Sequence, residues 1–137
     1  MARLTLRVDL GPGQAIGHGK VRLLEAIRDH GSISAAGRAL GMSYKRAWDL
    51  VEDLSRCFRE PVVEKRAGGQ QGGGAALTPL GARVVAHYRA IEAAAHAAAA
   101  PHLRDLEAAV RHPEQAEAPA GNAKAATDAP PRLARSR

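Results

Sequence analysis

The chain has 137 residues, room for one domain and a tail, and its hydrophobic content of 45% against 25% charged residues suits a packed core. Twenty Lys and Arg stand against 14 Asp and Glu, a formal charge of +6 that favours polyanionic partners, nucleic acid first. A single cysteine, Cys57, excludes an intramolecular disulfide or a cysteine-rich zinc site, and no apolar run approaches the roughly 18 residues that span a bilayer.

Residues 3 to 9 alternate, with Leu4, Leu6 and Val8 on one side, which predicts one half-buried strand ended by Gly11-Pro12-Gly13. From Lys20 to His30, Val21, Leu23, Leu24 and Ile27 keep helical spacing, and Gly31 supplies the stop. Ser32 opens a shorter helix to Leu40 with Ile33, Ala36 and Leu40 inward, and Gly41 closes it. Ser43 can cap a third helix, because its hydroxyl can accept from a free backbone N–H of the first turn. That helix runs to about Phe58, with Ala47, Leu50, Val51, Leu54 and Phe58 on its apolar face.

Pro61 ends it, and Val62 to Ala67 reads as a strand. The glycine run Gly68 to Gly74 belongs to no regular element, so it is a loop from which Ala75 to Leu77 return as a second short strand. Thr78-Pro79 then opens a long Ala-rich helix, with proline where its missing N–H costs nothing. Leu80, Val84, Tyr88, Ile91 and Ala95 recur at steps of three and four, close to a coiled-coil seam. Pro101 predicts a break or kink, followed by a short helix to about His112. Residues 113 to 137 hold too little apolar surface to offset ordering entropy and read as a disordered tail.

The expected fold is therefore mainly α with a small β-ribbon: a winged helix-turn-helix over residues 1–78, then a long dimerisation helix over 79–112. In a helix-turn-helix the second helix enters the major groove, and its first turns meet base edges. Ser43, Tyr44, Lys45, Arg46 and Asp49 are the candidate sequence readers, with Arg46 suited to a bidentate contact on guanine. The alternative is a solvated face on which Lys45 and Arg46 pair with Asp49. Trp48 flanks this face and either packs against the second helix or covers a phosphate. In the wing, Gly69, Gln70, Gln71 and Gly72 let the backbone approach DNA, and Lys65 and Arg66 at its base would hold phosphates.

Catalytic readings fail. A phosphate loop ending at Lys20 would need glycine at Gln14 and Ser or Thr at Val21, and a dinucleotide loop beginning at Gly11 meets Ile16 in place of its third glycine. The six His residues form no H-E-x-x-H pair, so no metal or other cofactor is expected, and with no signal-peptide core the protein is placed in the cytoplasm, away from membranes.

The segments HGSISAAGRALGMSYKRAWDLVEDL and VVEKRAGGQQGGGAALTPLGARVVAHY closely resemble the N-terminal domain of ModE-type molybdate-responsive regulators, over roughly residues 3 to 110. Similarity to LysR-type DNA-binding domains is looser, because their wing lacks this glycine run. The resemblance implies a homodimeric winged helix-turn-helix on double-stranded DNA, controlling genes for molybdate uptake or molybdenum enzymes. Family members often carry a basic residue in the wing where Gln70 and Gln71 stand here. Full-length members continue into β-barrel domains that bind molybdate; residues 113 to 137 offer no such pattern, so molybdate binding is not expected. The alternative function is an interaction partner whose long helix heterodimerises with a full-length homologous regulator and modulates it.

Overall fold

Serine caps and glycine stops divide the middle of the chain into three helices. Gly31 (φ 80°) closes α1, His18–His30, and its N–H bonds back to the Ile27 carbonyl at 2.8 Å; a side chain in that left-handed conformation would be strained. Ser32 caps α2, Ile33–Ala39, accepting from the Ala35 N–H at 3.0 Å. Ser43 caps α3, Tyr44–Cys57, accepting from the Arg46 N–H at 3.1 Å. The sequence predicts these boundaries to within two residues. The computed structural model describes residues 2–66 and 73–111.

Two antiparallel hairpins flank this trihelical centre: β1 (Arg7–Gly11) with β2 (Gln14–Gly17), and β3 (Val63–Arg66) with β4 (Gly74–Leu77). The first corrects the single strand expected over residues 3 to 9. Pro12 and Gly13 (φ 73°) occupy the two central positions of the turn, so the chain doubles back and sets Val8 opposite Ile16. In β3–β4 the register pairs Val63 with Leu77 and Lys65 with Ala75. The Ala75 N–H donates to the Gly31 carbonyl at 2.8 Å, which ties the second hairpin to the turn between α1 and α2.

The core joins Val21, Leu23, Leu24 and Ile27 of α1 to Ile33 and Ala36 of α2 and to Ala47, Val51 and Leu54 of α3, with Val62, Val63 and Ala75 from the ribbon. Among the described residues no polar or charged side chain is buried in it. The helices α2 and α3 meet closely at Gly37, where a Cβ would stand 3.3 Å from the Ala47 Cβ.

The final helix, α4 (Pro79–Ala109), starts from a two-way bond at Thr78. Its hydroxyl donates to the Pro61 carbonyl at 2.8 Å and accepts from the Gly81 N–H at 3.0 Å. Pro101 lies inside this helix, so no separate helix begins there, and helical geometry ends at Ala109, short of His112. Proline removes one donor; the carbonyl of exposed Ala97, its helical partner, is within reach of water. By contacts the described residues divide into a unit within Arg3–Ala100, which holds the core, and a second made of Ala2 with residues 101–111. In the second unit the Ala2 N–H donates to Glu107 Oε2 at 3.0 Å. The tail expected over 113 to 137 lies outside the described residues.

Candidate nucleic-acid interface

Helical spacing places residues four apart on one face, so the exposed start of α3 presents three parallel rows. The first row is Tyr44 and Trp48, whose rings stack with centroids 6.4 Å apart. The middle row is Lys45 and Asp49, joined by a 3.1 Å ion pair in which the side chains are 83% and 52% exposed. So open a pair contributes little to stability and exchanges readily for another anion. The third row is Arg46 and Leu50, which line a groove with Arg7, His18 and Lys20. Lys20 is held in place there by its bond to the Ala15 carbonyl at 3.0 Å.

Ser43, Tyr44, Lys45, Arg46 and Asp49 are all exposed, while Ala47, Val51 and Leu54 on the opposite face are buried. The basic end of α3 is thus free, and its capped first turn fixes the direction in which it projects. The pairing of Lys45 with Asp49 foreseen for a solvated face is present, but Arg46 lies outside it and points towards the groove.

Lys65 and Arg66 both stand exposed on β3. The Lys65 ammonium sits 3.4 Å from the centroid of the Trp48 ring, and Arg66 faces Glu64 at 3.7 Å. Trp48 is half-buried against the core, so packing is one of its roles, and support of a wing cation is another that sequence reading did not name. Sequence reading also missed the cleft that Tyr44 and Lys65 share with Ser32 and Ser34, about 260 Å³ in volume. The signal was the Ser-Ile-Ser entry into α2, which reads as a cap alone. Gly69, Gln70, Gln71 and Gly72 lie outside the described residues.

The family described as "Bacterial regulatory helix-turn-helix protein, lysR family" matches residues 19–82, from α1 to the start of α4. The molybdenum transport protein ModE of Azotobacter vinelandii is 46% identical over 92 residues, 67% of this chain and 33% of that protein. The molybdenum-pterin-binding protein MopB of Rhodobacter capsulatus is 51% identical over 81 residues, 59% of this chain and 30% of its own length. The DNA-binding transcriptional dual regulator ModE of Escherichia coli K12 is 39% identical over 69 residues, 50% of this chain and 26% of the regulator.

The matched part of the chain is a helix-turn-helix segment similar to that of the ModE regulators. The matched segment spans about a third or less of these curated relatives.

The seam expected on α4 divides in two. Val84 and Tyr88 are buried in the chain's own core, and the Tyr88 hydroxyl donates to the Leu6 carbonyl at 2.8 Å. Burial pushes the Tyr88 pKa up. These two residues are therefore corrected from dimerisation contacts to core contacts, because their faces are already filled from within. Ile91 is 44% exposed, Leu80 and Ala95 are half-buried, and Leu80 and Ile91 border an apolar groove with Leu10 and Phe58. Further along α4, Arg89 donates to both Glu25 oxygens of α1 at 2.9 and 2.8 Å and to Glu92 at 2.7 Å. The Arg89 hydrogen bonds hold the Glu25 carboxyl below its ordinary value. Among the described residues, no helix is long and apolar enough to cross a membrane.

Proposed function

We propose that this protein is a sequence-specific, DNA-binding transcriptional regulator of genes for molybdate transport or molybdenum enzymes, acting as a homodimer in the cytoplasm. The observation that carries the reading is the free, capped, basic start of α3, where Tyr44, Lys45 and Arg46 fan out from a buried apolar face. A helix presented this way fits the major groove, with Arg46 for guanine and with Tyr44, Lys45, Asp49 and the Ser43 turn beside it. Lys65 and Arg66 meet flanking phosphates and hold register without reading sequence. The ModE relatives, a molybdenum transport protein and a DNA-binding transcriptional dual regulator, support the choice of target genes.

Pairing through the exposed part of α4, with Leu80, Ile91 and Ala95 at its centre, sets two recognition helices about 34 Å apart on a pseudo-palindromic site. The experiment is selection of duplexes from a random pool, followed by affinity measurement on the recovered sequence and on a scrambled copy at moderate salt. The selected duplex is expected to bind at least about a thousandfold more tightly. Equal affinity for both overturns the reading.

A further inference from the structure

Trp48 lies between two parts of the interface that are far apart in sequence, the start of α3 and the base of the wing. Its ring stacks on Tyr44 with planes 23° apart and carries the Lys65 ammonium 3.4 Å from its centroid. Because Trp48 packs against the core, this platform is anchored, whereas Tyr44 and Lys65 are exposed. Strand alternation brings Lys65 there: it shares a face of β3 with buried Val63, while Glu64 and Arg66 share the other.

Two neighbouring cations are held differently. Lys45 faces Asp49 and Arg66 faces Glu64, and each carboxylate offsets the charge it orients. An aromatic face attracts an ammonium through its quadrupole and adds no opposing net charge, so Lys65 is oriented with its charge intact. The ammonium and Tyr44 line the cleft shared with Ser32, Ser34, Gly73 and Gly74, where hydroxyls and backbone can surround an anionic oxygen.

We infer that Trp48 is a positioning residue for DNA binding, fixing the Lys65 ammonium at the mouth of this cleft to meet one phosphodiester of the DNA backbone. This rests on the DNA-binding reading above. It locks the register of the wing to that of α3, since both hang from one ring.

The test is a double-mutant cycle in the full chain with W48L, K65Q and the double variant, titrating a mixed-sequence duplex across a range of salt. K65Q lowers the slope of log affinity against log salt by about 0.9, one phosphate contact. W48L keeps the ammonium and loses the platform, weakening binding about threefold to tenfold, and W48F restores most of it. The double variant binds no more weakly than the weaker single. Independent effects that multiply in the double, or unchanged affinity in W48L, overturn the role of Trp48 alone. Absence of any wild-type binding at low salt overturns the DNA reading itself. Trp48 is the single tryptophan of the chain, so its emission reports the stack even should W48L fail to fold. K65Q shifts that emission in the free protein, and an unchanged spectrum overturns the proposal.

Discussion

At the scale of single residues, this sequence states its helix ends openly and conceals its close contacts. Ser32, Ser43 and Thr78 each accept a backbone N–H of the helix they precede, as expected of hydroxyls at those positions. The reason Gly81 must be glycine is invisible in the sequence, because the atom it meets lies 19 positions earlier. A Cβ at Gly81 would stand 2.1 Å from the Val62 carbonyl oxygen, backbone that cannot swing aside, since the Thr78 N–H also donates to that oxygen at 3.0 Å. G81A is therefore expected to destabilise the fold by about 2–3 kcal/mol, as overpacking against fixed backbone does. Thermal or urea unfolding checks this, and a loss below about half a kcal/mol would show that α4 can slide away from the ribbon at little cost.

Elements were legible where their pattern is long and local. The 14-residue α3 has an unbroken apolar face and a cap, and it emerged nearly residue for residue. The strand β2 did not, because Gln14–Gly17 offers only Ala15 and Ile16 as apolar residues beside a glycine-rich turn. Periodicity on α4 was read correctly as an apolar stripe, but a stripe does not name what covers it. Val84 and Tyr88 turned out to be covered from within. The tie between α4 and α1 was equally unreadable, since Arg89 and Glu25 are 64 positions apart. It makes a testable pH prediction. Glu25 has its pKa lowered by the Arg89 hydrogen bonds, from an ordinary value of 4.5. A carboxylate lowered by folding adds stability that is complete above its unfolded pKa and is lost as pH falls through the lower folded value. At neutral pH, E25Q should cost about 1–2 kcal/mol. Urea midpoints measured downwards from neutrality should show that difference closing below pH 4.5. A difference constant with pH would mean the pair is not formed in solution.

At the scale of the whole molecule, a trihelical core carries the two surfaces proposed to meet DNA, each with its own task. In the proposed reading the exposed start of α3 reads bases and the base of the wing holds phosphate; Trp48 stands between them, beneath the Lys65 ammonium. Composition alone suggested a polyanionic partner, and the Gly41-Met42-Ser43 turn fixed where α3 begins. The alignment of Lys65 over Trp48 needed the tertiary fold, in which Val62 and Val63 join the same core as Ala47, Val51 and Leu54 of α3. The division of labour is open to one direct measurement: the affinities of wild type, R46A and K65A for the selected duplex and for its scrambled copy. R46A should lose about 1–3 kcal/mol on the selected duplex and far less on the scrambled one, whereas K65A should weaken both alike. If K65A erodes discrimination while R46A lowers both affinities equally, α3 is not the element that reads sequence.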